Sequence, residues 1–179
     1  MQIRKTAHTA RSKNALSSAL LELMLEKDYN DITIKELSEK AGVARQTFYS
    51  NYTNKNQLLD YCIDQLATEF QQQYITEHST GREVIRDVFV YCEKIYPQIK
   101  ALSSSGFEVR MLNRIIVQNA ELRSYFGHNS RNLYFDSFCA GAVFSVVLTW
   151  IKNGMKPSPS EMADVVVTAL GPNNLGKIF

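Results

Sequence analysis

Thr33-Ile34-Lys35-Glu36-Leu37-Ser38-Glu39-Lys40-Ala41-Gly42-Val43-Ala44-Arg45-Gln46-Thr47-Phe48-Tyr49-Ser50-Asn51-Tyr52 is the stretch on which the reading of this chain turns. Thr33 followed by Glu36 is a capping box, in which a hydroxyl and a carboxylate each satisfy one orphan amide at a helix start. Ile34, Leu37 and Ala41 point inward from the short helix that follows. Gly42 ends it where a left-handed backbone carries little penalty, and Val43 plugs the corner. A second short helix runs from about Ala44 to Asn51. Two short helices joined by a tight glycine turn can form a helix-turn-helix, in which the first helix braces the second within a DNA major groove. An ordinary αα-hairpin with a solvated polar face has the same periodicity, so the pattern alone leaves both readings open.

The residue types on the outer face favour the first reading. Arg45 can address a guanine edge, Gln46 an adenine edge in two places, and the Thr47 methyl a thymine methyl, with Tyr49 beside them. Phe48 reads as core. Lys55 follows at the start of the next helix, beside that helix's amide end, and reads as a phosphate anchor. Upstream, Arg4, Lys5, Arg11 and Lys13 place four positive charges and no acid in the first thirteen residues, which suits phosphate contact or a solvated terminus.

Working outward, Leu16, Ala19, Leu20, Leu23 and Met24 form one apolar helical face between Arg11 and Lys27. Asp28 to Asp31 is a polar turn. Leu58, Leu59, Cys62, Ile63, Leu66 and Phe70 mark a long helix to about Tyr74, and residues 78–81 read as a loop. Val84 to Tyr96 is amphipathic, with Pro97 near its end. Ser103-Ser104-Ser105-Gly106 is a break, and a helix runs from about Phe107 to Gln118. After a polar joint at 119–129, the segment Arg131 to Lys152 is apolar on nearly every face and requires burial on all sides. Pro157-Ser158-Pro159-Ser160 introduces a last helix. No run alternates long enough for a sheet, and the expected fold is all-α with eight to ten helices.

The totals agree with this. The chain has 179 residues, 45% hydrophobic and 21% charged, with a net charge of +2. That composition supports a globular core and argues against a polycation or a disordered chain. Cys62, Cys92 and Cys139 lie far apart, with no C-x-x-C and no histidine at metal-ligand spacing, which fits buried thiols in a reducing cytosol. No metal or cofactor is expected. The longest uncharged stretch, Ser137 to Ile151, is too short to span a bilayer. No signal peptide is evident, and a cytoplasmic location follows. The G-x-S-x-G, G-x-G-x-x-G, H-E-x-x-H and phosphate-loop patterns are all absent, so catalysis is not indicated and no catalytic residue is assigned.

The segment Arg11 to Leu59 resembles the N-terminal domain of the TetR/AcrR family of one-component transcriptional regulators. The residues that carry the resemblance are the run Thr33 to Val43, then Thr47-Phe48-Tyr49, then Tyr52-x-x-Lys55-x-x-Leu58. The segment Phe135 to Leu170, with Trp150-Ile151-Lys152-Asn153-Gly154-Met155, is similar to a C-terminal region of some members. The resemblance implies a three-helix DNA-binding domain over residues 1–60 and a larger helical effector-binding and dimerisation domain over 61–179. By position, Thr33, Lys35 and Lys55 are expected near phosphate and Gln46, Thr47 and Tyr49 in the groove, while Tyr52 packs into the small core. Two positions depart from the family pattern. Ala44 replaces the usual capping Ser or Thr, and Asn51 replaces a common His.

For the second half, small residues (Ala140, Gly141, Ala142, Ser145) beside bulky ones (Phe138, Phe144, Leu148, Trp150) suit close helix pairing across a two-fold axis. Gly141, Phe144, Ser145, Leu148 and Val166 are the expected dimer contacts. Phe89, Tyr96, Phe107, Met111, Tyr134 and Phe138 are candidate walls for an apolar or aromatic small-molecule effector, although aromatics at helical spacing are more often plain core. The expected function is a homodimeric repressor on double-stranded operator DNA, released by that effector. The alternatives are an activator or a regulator acting through a protein partner, and a protein-interaction regulator that has lost specific DNA recognition. Ala44 and Asn51 favour the last.

Overall fold

A computed structural model describes residues 2–74, 80–118 and 133–170, and among these every regular element is helical. The order is α1 (Gln2–Glu26), a 3-10 turn (Tyr29–Asp31), α2 (Ile34–Lys40), α3 (Arg45–Asn51), α4 (Lys55–Tyr74), α5 (Gly81–Lys94), α6 (Tyr96–Ser104), α7 (Glu108–Gln118), α8 (Leu133–Lys152) and α9 (Pro159–Leu170). The fold is therefore all-α. The chain divides into two compact units, Met1–Gln65 with Pro97–Glu108, and Leu66–Tyr96 with Val109–Phe179. The polar joint expected at 119–129 lies outside the described residues, as do His78 and Ser79 of the expected loop.

In the first unit Leu16, Leu20, Leu37, Phe48, Leu58 and Leu59 are fully buried. They come from α1, α2, α3 and α4, so one small apolar centre joins all four helices. The α1 helix begins at Gln2, well before the Arg11 expected from its apolar face, because the residues upstream lack that face but contain no glycine or proline to stop a helix. Its surface tie to α2 is ionic: Lys40 Nζ lies 2.7 Å from Glu26 and 3.4 Å from Glu22, and Lys27 Nζ lies 2.5 Å from Glu36.

Residues 96–104 correct the sequence reading. Pro97 does not close a helix there but occupies the first turn of α6, where its missing N–H removes a donor that would have had no partner anyway. Phe107 likewise precedes α7 and does not begin it. Gly106 takes a left-handed conformation (φ 76°), and the Phe107 N–H donates back to the Leu102 carbonyl at 3.1 Å. This corner belongs to the first unit, where the Phe107 ring meets the Tyr29 ring edge-on at 4.9 Å.

The second unit has its own core of Ile85, Phe89, Val147, Trp150, Met162, Ala163 and Val166, contributed by α5, α8 and α9. Phe89 and Trp150 pack edge to face at 5.2 Å, and the Trp150 indole N–H donates to the Pro157 carbonyl at 2.6 Å. Arg82 holds α9 against α5 through two hydrogen bonds to the Asp164 carboxylate, at 2.7 and 2.9 Å. At the other end of α5 the Tyr91 hydroxyl donates to the Leu66 carbonyl at 2.8 Å. Phe89→Ala should lower stability by about 3–5 kcal/mol, since it empties a fully enclosed aromatic site. An unchanged urea midpoint would contradict this description of the core.

Candidate nucleic-acid interface

The α2 helix starts as its sequence dictates. The Thr33 hydroxyl accepts from the Glu36 N–H at 3.2 Å, and Glu36 Oε2 accepts from the Thr33 N–H at 3.1 Å. The Lys27 ammonium and the Thr33 donors together hold the Glu36 carboxyl down at about 2. The helix ends in a Schellman motif, in which Gly42 (φ 65°) donates to the Glu39 carbonyl at 3.1 Å and Val43 to the Ser38 carbonyl at 3.0 Å. A side chain at position 42 would be strained by that backbone, which explains the glycine. The turn sets the direction in which α3 leaves.

The α3 helix has only seven residues. Phe48 faces inward and is fully buried, touching Tyr49 (ring centroids 5.4 Å apart) and Tyr52 (5.8 Å). Arg45, Gln46 and Tyr49 are all exposed, and Thr47 is half-buried. Tyr49 leaves 51% of its surface open despite its large ring. The Arg45 guanidinium lies 6.0 Å from the Tyr49 ring centre, so charge and aromatic surface stand together on the outer face. Lys35 is also exposed, with Glu39 at 4.0 Å, and Thr33 is exposed at the α2 start.

Ala44 stands at the N-cap of α3 in extended conformation and makes no side-chain capping bond. The far end of the helix is reinforced instead. Asn51 Nδ2 donates to the Thr47 carbonyl at 2.7 Å, and Ser50 Oγ donates to the Gln46 carbonyl at 2.8 Å. Asn51 thus has a structural task that its family departure did not reveal. Tyr52 is buried as expected, and burial raises its hydroxyl pKa well above the ordinary tyrosine value. Lys13 Nζ lies 5.9 Å from the Tyr52 ring centre and 5.5 Å from that of Tyr61, while the Tyr61 hydroxyl donates to Asn14 at 3.0 Å. These contacts tie α1 to α4 behind the recognition helix and were not foreseen, because no local pattern marks a contact across that many residues.

Lys55 is placed differently from an outward anchor. Its ammonium donates to the backbone carbonyls of Tyr29, of Asn30 at 3.4 Å and of Ile32 at 2.7 Å, and it lies 4.3 Å from the centre of the Tyr29 ring. Burial lowers its pKa, opposed by the charges of Asp28 and Asp31.

The effector-pocket and dimer candidates differ in their surroundings. Phe89 is in the α5–α8–α9 core, Met111 is buried on α7, and Tyr96 is half-buried at the start of α6. Phe107 lies with the first unit, against Tyr29. Tyr134 and Phe138 stand out from α8, 87% and 60% exposed. On the same helix Gly141, Phe144 and Leu148 are half-buried and Ser145 is exposed. Val166 faces the chain's own core, and its neighbour Val165, 52% exposed, has the outward position. No group of three or more metal-ligating side chains occurs among the described residues, and none of their helices is long and apolar enough to cross a membrane. Cys62 is buried and its thiol is pushed up to about 12.

A glycine-turned helix pair with a buried inner face and an exposed polar outer face, attached to a second helical unit, is the architecture of a helix-turn-helix transcriptional regulator. The family model for bacterial regulatory proteins of the tetR family matches residues 16–62, and one for a transcriptional regulator C-terminal region matches residues 108–170. The chain belongs to the TetR family of transcriptional regulators. It is 40% identical over 60 residues, 33% of its length, to an uncharacterized HTH-type transcriptional regulator, YxbF, of Bacillus subtilis. That match spans only 16% of the relative's length. Its fold is similar to that of a TetR transcriptional regulator from Streptococcus agalactiae (TM-score 0.70, 21% identity, 95% of this chain and 99% of that one). It is also similar to the dihydroxyacetone kinase operon activator DhaS (TM-score 0.61, 17% identity, 94% and 97%).

Two outcomes follow from this geometry. Ala44→Ser should supply the missing cap and raise stability by roughly 0.5–2 kcal/mol, read as a higher denaturation midpoint. No gain would mean that the α3 start is satisfied in another way. Glu36 has a folded pKa below its ordinary 4.5, so its stabilising contribution is complete above 4.5 and is lost as pH falls toward about 2. Glu36→Gln should remove that part of the acid dependence in a pH series of thermal melts. A variant with the wild-type acid slope would show that the carboxylate is not held as described.

Proposed function

We propose that the chain is a homodimeric, sequence-specific DNA-binding repressor of transcription that acts in the cytoplasm on double-stranded operator DNA. The observation that carries this reading is the outer face of α3, where Arg45, Gln46 and Tyr49 are exposed on a helix held rigid from behind by Phe48. These side chains span the hydrogen-bonding and apolar chemistry that distinguishes base pairs in the major groove. Thr47 borders them, and Thr33 and Lys35 flank them as phosphate-side contacts.

Dimerisation is supported by α8. Its Tyr134, Phe138, Gly141 and Ser145 recur at helical spacing on the side away from Val147 and Trp150, and Val165 of α9 is likewise exposed. Aromatic surface that open to water, set beside small residues, suits a second copy of the same helix pair. Phe144 and Leu148 belong to this proposed surface as partly open residues. Tyr134 and Phe138 fit it better than the walls of an effector cavity.

Release by a small apolar or aromatic effector rests on family resemblance, with Tyr96, Phe89 and Met111 as the retained candidates for its contacts. The likeness to an operon activator keeps activation as the second reading. The two separate in a reporter assay, where a repressor lowers expression from its own operator and an activator raises it.

Purified protein incubated with sheared genomic DNA should retain a small set of fragments sharing one inverted repeat. On a duplex carrying that repeat, Thr47→Ala and Tyr49→Ala should each weaken binding by roughly 5- to 150-fold, while sedimentation still reports a dimer. Retention without any shared sequence would overturn the reading.

A further inference from the structure

The basic residue at the start of α4 has every appearance of a phosphate anchor in the sequence, yet its surroundings give it a different task. An ammonium has three N–H donors and no acceptor. Lys55 directs its donors to three carbonyls of the turn that follows α1, those of Tyr29, Asn30 and Ile32. The Tyr29 ring covers the ammonium at 4.3 Å. The Tyr29 hydroxyl in turn donates to Asn56 Oδ1 at 2.9 Å, in the same first turn of α4. Phe107 braces the Tyr29 ring edge-on. The nearby acids, Asp28 and Asp31, favour the charge on Lys55 and would repel an incoming phosphate.

We propose that Lys55 is a positioning residue, an internal strut that with Tyr29 and Phe107 fixes the turn between α1 and α2 to the start of α4, and that it makes no phosphate contact. The α2–α3 pair is the chain between those two fixed points, residues 34–51 against the turn at 29–32 and the helix start at 55. Locking both ends sets the pose of the recognition helix. The inference rests on the DNA-binding reading above but assigns Lys55 differently from the family expectation. Lys35, whose side chain is 71% exposed, has the opposite environment and serves as the comparison.

The test uses the full chain and the duplex selected from genomic DNA, titrated over a series of KCl concentrations. A second duplex carries one changed base pair in each half-site. Loss of a phosphate contact flattens the slope of log affinity against log salt by about 0.9 and leaves the preference between the two duplexes unchanged. Lys35→Ala should behave in that way. Lys55→Met should instead weaken binding by about tenfold, keep the wild-type salt slope and reduce the preference for the matched duplex. Lys55→Arg keeps the charge, but its planar fork cannot bring three donors from one nitrogen onto converging carbonyls. It should also lose preference, and circular dichroism should report both variants as folded at the assay temperature.

A salt slope flattened in Lys55→Met and restored in Lys55→Arg would make Lys55 a phosphate anchor and overturn the proposal. Equal weakening on both duplexes with an unchanged slope would reduce it to a stability role and overturn it as well. A wild-type protein that does not distinguish the two duplexes would instead overturn the DNA-binding reading itself.

Discussion

The burial of Phe48 is the constraint on which the rest depends. A seven-residue helix has too few internal hydrogen bonds to offset the cost of its own nucleation, and in water it would not persist alone. The α3 helix exists because one aromatic side chain enters a centre built from Leu16, Leu20, Leu37, Leu58 and Leu59. Once Phe48 is inside, the 3.6-residue repeat leaves Arg45, Gln46 and Tyr49 outside. The exposed chemistry is therefore a consequence of the hidden one. Gly42 serves the same end, since its left-handed backbone lets α3 leave α2 at the angle that puts Phe48 over the centre.

Polar contacts then fix what apolar burial leaves loose. The ion pairs of Lys40 with Glu22 and Glu26, and of Lys27 with Glu36, lie on the surface and each contributes little. Their value is directional, because together they resist rotation of α2 on α1. Lys55 is a different case. Its partners are backbone carbonyls of the turn at 29–32, so the ammonium fastens that turn as well as adding a charge. A basic side chain near a DNA-reading helix can thus shape the reader without touching what is read.

What was legible in the sequence was whatever is written over a few adjacent residues. The Thr33–Glu36 box, the Gly42 turn, the inward Phe48 and the helical faces of α1 and α4 are all local patterns. The all-α fold and the exposed face of α3 follow from them. What was not legible depends on partners far along the chain. Nothing near Lys55 shows that residues 29–32 return to it, and nothing near Phe107 shows that Tyr29 receives it. Pro97 was ambiguous because proline both ends and begins helices, and only the neighbouring packing decides which. Val165 and Val166 were indistinguishable because α8 is apolar all round and gives no clue to which face of α9 it covers. Asn51 looked like a loss against the family pattern, whereas its side chain bonds back to the Thr47 carbonyl within its own helix.

The central claim, that two copies of this chain present α3 to successive major grooves, is most directly tested by methylation interference on the selected duplex. Methyl groups at guanine N7 project into the major groove, where the outer face of α3 would lie. The account expects methylation to block binding in two half-sites related by a two-fold axis and centred about 34–36 Å apart, or a whole multiple of one turn. Interference confined to a single half-site, or binding indifferent to N7 methylation, would contradict it.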